Sequence, residues 1–292
     1  MSIKSPFNYI GGKYRILPQI LPLFPKNINL MIDVFSGGFT VGINTPSKRI
    51  ICNDHLTPII QLHKYLHDTP IEQTLDYIHR TIKYYGLSKE DKDSFIKFRY
   101  DYNNNEDKHP LDLYILMCFS YNYQARWNNK HQYNSSHGTN RSTYSKTTEK
   151  KLIKYIRALQ KKEILFKSED FTQIEYEKLT VNDFAYFDPP YILSTGNYND
   201  GNRGYKNWTK KEEKQLYSIL QTLTDNETPF GLNNLITHKG KHNKQLEKFI
   251  QDNKKGLKVQ HITNNYRNSS YNKKRQDQPT TELYITNIQD GN

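Results

Sequence analysis

The 292-residue chain carries 42 Lys and Arg against 30 Asp and Glu, a net charge of +12 at pH 7; its length allows one large domain or two modest ones, and its charge favours a polyanionic partner over a small acidic one. Mean hydropathy is −0.89, no run approaches the ~20 apolar residues of a membrane span, and Met1 to Lys13 lacks the apolar core of a signal peptide, so the expectation is a soluble, cytoplasmic protein without a membrane partner. Cys52 and Cys118 are the only cysteines and neither belongs to a C-x-x-C, which offers neither a disulfide framework nor a structural metal site.

In chain order, Leu30 to Phe35 is a short apolar run entering Ser36-Gly37-Gly38, a buried strand followed by a tight turn. A helix from about Thr40 and a second strand, Arg49 to Asp54, complete a βαβ unit. From about residue 56 to 160 helical periodicities dominate, as in Ile71, Leu75, Ile78 and Ile82. Within that stretch, residues 124 to 145 form a long polar segment with little apolar periodicity, which predicts a functional or disordered loop. Strand signals resume at Ile164 to Phe166 and at Phe184 to Phe187, the latter running into Asp188-Pro189-Pro190-Tyr191. A helix (about 209 to 223), a strand (230 to 233), a helix (about 244 to 252) and two last strands near 257 to 262 and 281 to 286 follow. The alternation predicts an α/β domain with a mostly parallel sheet, formed by residues 1 to 55 and 161 to 292 and interrupted by a mainly helical insertion over 56 to 160.

Ligands of open α/β sheets bind outside the carboxyl ends of the strands. Ser36-Gly37-Gly38, Asp54, Asp170-Phe171 and Asp188 to Tyr191 all fall there, so one pocket is expected to gather them. Asp54 follows Gly37 by seventeen residues, near the spacing at which a carboxylate holds ribose hydroxyls beside a glycine turn; an ordinary strand-to-helix turn reads the same way. A phosphate loop fails around Gly12-Lys13, and His63 and His67 lack the glutamate of a zinc H-E-x-x-H because Lys64 follows His63. Both histidines are expected at the surface, and no metal is expected. In Asp188-Pro189-Pro190-Tyr191 the two prolines donate no N–H and fix φ, presenting a carboxylate, a stiff carbonyl and an aromatic ring together. That set suits a planar amine, whose two N–H groups Asp188 and the Pro189 carbonyl can accept while Tyr191 stacks on the ring. Lys150, Lys154, Arg157 and Lys161 recur at helical spacing opposite Leu152, Ile156 and Leu159, as a phosphate path or as an ordinary solvated face.

The order of these motifs resembles the Dam-like DNA adenine-N6 methyltransferases of the D12 class. The resemblance covers essentially the whole chain, from Phe7-Asn8-Tyr9-Ile10-Gly11-Gly12-Lys13 and Asp33-Val34-Phe35-Ser36-Gly37-Gly38 through Asn53-Asp54, Asp170-Phe171 and Asp188-Pro189-Pro190-Tyr191. It continues through Asn233-Asn234 to Tyr271-Asn272-Lys273 and Thr281-Glu282-Leu283. It implies a Rossmann-like sheet using S-adenosylmethionine, with S-adenosylhomocysteine as product and an adenine flipped from duplex DNA as acceptor. Tyr9, Lys13, Asp33, Phe35, Gly37, Gly38, Asp54, Asp170, Phe171 and Asp188 would surround the methyl donor, and Asp188, Pro189, Pro190 and Tyr191 would hold the target base. Arg126, Asn128, Tyr133 and Asn134 would read DNA from a hairpin at about 124 to 145. Apart from the resemblance, Lys154 of the basic stripe suits a phosphate contact, and Tyr271 and Lys273 stand in a loop mixing aromatics with charge that suits DNA and equally a disordered connector. A restriction endonuclease is the protein partner such a modification enzyme would have. Phe39 stands where the family's F-x-G-x-G has its last glycine, and Trp127 and Ser136 stand at the aromatic and proline positions of the family's recognition segment. Two other readings remain: a cytosine-N4 methyltransferase, and a DNA-binding protein of the same fold that has lost catalysis.

Overall fold

The computed structural model describes residues 2–9, 11–194, 208–263 and 280–289. Its centre is an eight-stranded sheet. In chain order its strands are β1 (Ile28–Asp33), β2 (Ser47–Asn53), β3 (Glu163–Lys167), β4 (Phe184–Phe187), β5 (Phe230–His238), β6 (Lys241–His242), β7 (Lys258–Ile262) and β8 (Thr281–Thr286). The spatial order is β3-β2-β1-β4-β5-β8-β7, with the short β6 paired to β5. The first five strands run parallel, and β8 enters antiparallel between β5 and β7. All four residues of β4 are buried, as a strand covered on both faces requires.

The helices are α1 (Leu17–Ile20), α2 (Thr40–Asn44), α3 (Thr57–Asp68), α4 (Ile71–Tyr85), α5 (Lys92–Asn104), α6 (Pro110–Phe119), α7 (Lys146–Leu159), α8 (Lys210–Asp225) and α9 (Lys244–Asp252). Their ends follow local chemistry. Asp91 and Ser145 cap α5 and α7 by accepting first-turn N–H groups, Thr209 and Glu212 close a capping box on α8, and Gly86 at φ +67° ends α4. One apolar cluster joins a face of β1 and β2 to α3, α5, α6 and α7. A second fills the opposite face beneath α8 and α9. Helices α3 to α7, between β2 and β3 in the chain, therefore share a continuous core with the sheet. Among the described residues no helix is long and apolar enough to cross a membrane.

Candidate active site

The chain leaves β1 through Asp33 and turns at Ser36 to Phe39 before entering α2. Gly37 sits at φ +46°, and a Cβ there would lie 2.8 Å from the Tyr9 ring, so this position requires glycine. The turn is pinned at several atoms. Gly37 N–H donates to Asp54 Oδ2 at 2.8 Å and Leu56 N–H to Asp54 Oδ1 at 2.9 Å, while Asp33 Oδ2 accepts Gly42 N–H at 2.9 Å. Asp54 thus organises backbone as well as lining the cleft, and burial holds its carboxyl above the ordinary range. Burial also pushes Asp33 up to about 8, with the charges of Asp188 and Asp54 adding to it.

Phe39 adopts φ +54°, ψ 33°, the left-handed conformation in which the glycine of the family's motif carries no penalty. Its ring is fully buried and lies against Gly42 and His63, away from the cleft. The fold keeps the turn's shape despite the substitution.

At the carboxyl end of β4, Asp188 meets Lys13, Tyr191 and Glu282. Lys13 Nζ lies 2.7 Å from Asp188 Oδ2 and 3.9 Å from Glu282 Oε1, donates to Gly11 O at 2.8 Å, and stands 5.1 Å from the Tyr191 ring centroid. The Tyr191 hydroxyl is 2.8 Å from Asp188 Oδ1 and 3.0 Å from Glu282 Oε1, sharing one proton between two carboxylates. Asn233 Nδ2 also donates to Glu282 Oε1, at 3.2 Å, and Tyr186 O–H donates to Asn233 Oδ1 at 2.8 Å. Burial raises the Asp188 pKa and the Lys13 ammonium opposes the rise. The ring of Tyr191 is 5% exposed, and its hydroxyl braces Asp188. Glu282, 1% exposed, is quoted in the C-terminal motif without a role; its membership of this corner depends on β8 lying beside β5 and is invisible in sequence spacing.

A cleft opens above these strand ends, where ligands of open α/β sheets bind. Tyr9, Lys13, Asp33, Phe35, Gly37, Gly38, Asp54, Asp170, Phe171 and Asp188, the ten residues expected around the methyl donor, all line it, as does Pro190. Pro189 is buried. Asp170 also caps the short turn after it by accepting Thr172 N–H at 3.0 Å. The sequence gives no hint of Trp208, which faces Phe35 at 5.6 Å and Phe171 at 5.3 Å between ring centroids and completes an aromatic wall. Its indole N–H donates to buried Glu213 at 3.1 Å.

The donor set suits S-adenosylmethionine. Five acidic side chains, Asp33, Asp54, Glu169, Asp170 and Asp188, line the cleft together with Lys13, giving acceptors for a cationic sulfonium, an ammonium and a ribose diol although the chain as a whole is strongly basic. The aromatic wall matches a purine ring.

Residues 124 to 145 contain a packed hairpin, so this polar segment is ordered although it carries no apolar period. Trp127 bridges Tyr133, Asn134 N–H donates to Arg126 O at 2.9 Å and Asn128 N–H to Gln132 O at 2.9 Å. Trp127 and Tyr133 are 2% and 1% exposed. The Tyr133 hydroxyl is held by Ser120 and Gln124, and its backbone is tied in both directions to the Asn103 side chain on α5. Tyr133 is therefore a hairpin anchor and not a base reader. Asn128 spends its amide oxygen on the N–H groups of Lys130 and Gln132, building the turn. Arg126 and Asn134 remain exposed, together with Asn129, Lys130 and His131 at the tip. Lys150, Lys154 and Arg157 on α7 and Lys161 just beyond it are exposed and line a second hollow with Ile3 and Ile153. Tyr271 and Lys273 lie outside the described residues. His63 overturns its expected surface position: it is fully buried, while His67, on the same face one turn later at the carboxyl end of α3, is part-exposed.

Residues 9–268 match the model of the D12 class N6 adenine-specific DNA methyltransferases. The chain belongs to this family. It is 43% identical over 287 residues to the modification methylase StsI of Streptococcus sanguinis, covering 98% of this chain and 43% of that protein. To the type II methyltransferase M.FokI of Planomicrobium okeanokoites it is 42% identical over 285 residues, 98% of this chain and 43% of the relative. The modification methylase LlaI of Lactococcus lactis subsp. lactis is 30% identical over 249 residues, 85% of this chain and 39% of the relative. The chain thus spans less than half the length of each of these three relatives.

Proposed function

We propose that the protein is a site-specific DNA adenine-N6 methyltransferase that uses S-adenosylmethionine and acts within a restriction-modification setting. The observation that carries the reading is the meeting, in one cleft, of the Asp188-Pro189-Pro190 corner with a pinned glycine turn, a carboxylate cluster and an aromatic wall. Asp33, Asp54 and the turn at Gly37 and Gly38 would hold the charged and ribose parts of the methyl donor, and Phe35, Phe171 and Trp208 its purine. When bound, S-adenosylmethionine supplies an electrophilic methyl group on a sulfonium.

The exocyclic amine of adenine is a weak nucleophile because its lone pair is delocalised into the ring. Asp188 and the Pro189 carbonyl accept its two N–H groups, which favours a pyramidal nitrogen and stabilises the positive charge that grows on it during in-line attack. Asp188 orients and stabilises; it does not need to be a strong base, because the methylated ammonium can lose its proton to solvent. The Tyr191 hydroxyl fixes one Asp188 oxygen and Lys13 the other, so the acceptor is aimed before the base arrives. The base must leave the stack to reach it, at a cost of a few kcal/mol. Residues 56 to 160 supply DNA reading, with Arg126 and Asn134 of the hairpin at base edges and the α7 stripe on phosphates.

The test is product analysis of DNA exposed to the protein and methyl donor, comparing wild type with Asp188→Ala. Wild type should yield N6-methyladenine at defined positions. The variant should lose ~10²–10³ or more in rate while calorimetry still detects the methyl donor. N4-methylcytosine as product, or a variant of normal rate, would overturn the reading.

A further inference from the structure

His63 on α3 and Tyr155 on α7 make a polar contact inside an aromatic cluster. The imidazole is fully buried, with Phe7 5.2 Å away edge-on, Phe39 at 5.8 Å and Tyr155 at 6.0 Å between centroids. Its Nε2 lies 2.8 Å from Gly37 O, and its Nδ1 lies 2.9 Å from the Tyr155 hydroxyl. A carbonyl oxygen only accepts, so Nε2 carries the proton; Nδ1 of the neutral ring is then the acceptor and Tyr155 O–H the donor. Burial favours that neutral ring by pushing the His63 pKa down to about 4.

The carbonyl that His63 holds belongs to the same glycine whose N–H is held by Asp54. The two peptide planes flanking Gly37 are thereby fixed independently, one by Asp54 just past β2 and one by a side chain from the helical segment. A second tie runs parallel to it. Phe7 packs edge-on against His63, Tyr114 and Tyr155, Asn8 Nδ2 donates to Asn122 O at 2.6 Å next to the hairpin, and Tyr9 covers Gly37. A phenyl ring would fill the His63 site at lower desolvation cost, so packing alone does not account for a buried imidazole with both nitrogens engaged.

We propose that His63, fixed in its Nε2–H tautomer by Tyr155, is a positioning residue for the turn facing the methyl donor, and that through this pair the DNA-reading helices set the shape of the donor site. The proposal rests on the function given above.

The experiment measures S-adenosylmethionine affinity by calorimetry and steady-state KM and kcat for wild type, His63→Phe, His63→Gln and Tyr155→Phe, with thermal unfolding as the check on folding. His63→Phe keeps volume and aromaticity and loses both polar contacts; KM for the methyl donor should rise about tenfold, with kcat at saturation within about twofold, as expected for lost ground-state positioning. His63→Gln retains a donor and an acceptor at similar separation and should stay within about threefold of wild type, and Tyr155→Phe should raise KM about three- to fivefold, the scale of one neutral hydrogen bond. A folded His63→Phe with wild-type KM, or a loss confined to kcat, overturns the proposal. If His63→Phe does not fold, Tyr155→Phe decides in the same terms. Wild type that takes up no S-adenosylmethionine would instead defeat the function itself, an outcome distinct from equal affinities in wild type and variants.

Discussion

Phe39 holds a left-handed backbone at φ +54°, where an L side chain costs roughly 1–2 kcal/mol that glycine does not. Its buried ring offsets that cost. Removing the ring should therefore destabilise by about 3–5 kcal/mol, but with an inverted order of variants: Phe39→Gly should be more stable than Phe39→Ala by about 1 kcal/mol. Denaturant titration of the two variants checks this, and the ordinary order, alanine above glycine, would mean the turn relaxes out of its left-handed form. Asp33 carries the second prediction at this scale. Its folded pKa is about 8 against ~4 unfolded, so between these values the folded state binds the extra proton. Stability from this group is full below pH ~4, declines as pH rises toward 8, and is flat above. Asp33→Asn should flatten the decline in a series of unfolding curves between pH 5 and 8. Single residues also show where sequence reading stops. Asp188 to Tyr191 is legible because four adjacent residues carry the signal, whereas Trp208 and Glu282 reach the site from distant elements and leave no spacing to read. His63 is misread because burial of a histidine depends on which way α3 faces, which its own spacing to His67 does not fix.

Among the elements, the expected strands and the helices near 209–223 and 244–252 follow from apolar runs and caps, with bounds within a few residues of the structure except that β5 runs on to His238. Residues 56–160 read only as helical, with no bounds for the five helices found there. The 124–145 hairpin follows from neither runs nor caps, because its order comes from two aromatic anchors and side-chain bonds to α5, with no repeating apolar period to mark it. Its exposed and buried residues now separate into two groups with different expected behaviour. Arg126→Ala should relax preference at one base position by roughly ten- to a hundredfold, as for loss of a bidentate contact, with the hairpin intact. Tyr133→Phe should instead act through stability, since the hydroxyl it removes is buried. On α7, Lys154→Ala should weaken all DNA sequences alike and reduce the salt slope by about 1. Competition between cognate and single-substituted duplexes at several salt concentrations distinguishes these outcomes. Uniform weakening by Arg126→Ala would make it a backbone clamp and shift base reading to Asn134 and the hairpin tip.

At the scale of the molecule, a chain of net charge +12 gathers acidic side chains in its cleft and exposes cations along α7, so the proposed cationic methyl donor and the proposed DNA would be drawn to different surfaces of one core. The sheet order adds a consequence in time. Lys13 precedes β1, Asp188 follows β4, and Glu282 belongs to β8, which pairs with both β5 and β7. During synthesis, Lys13 and Asp188 leave the ribosome long before Glu282 does, and β5 and β7 wait with open edges for the strand that joins them. Contacts so far apart in sequence form slowly, and unpaired strand edges invite association with other chains. A chain stopped at residue 263 should therefore be protease-sensitive and take up no methyl donor, measured by limited proteolysis and calorimetry against the full chain. A stopped chain with native protection would show that the other strands order themselves without β8. On this scheme the corner of Lys13, Asp188 and Glu282 is complete only once β8 has been made, and until then the edges of β5 and β7 stay open to other chains.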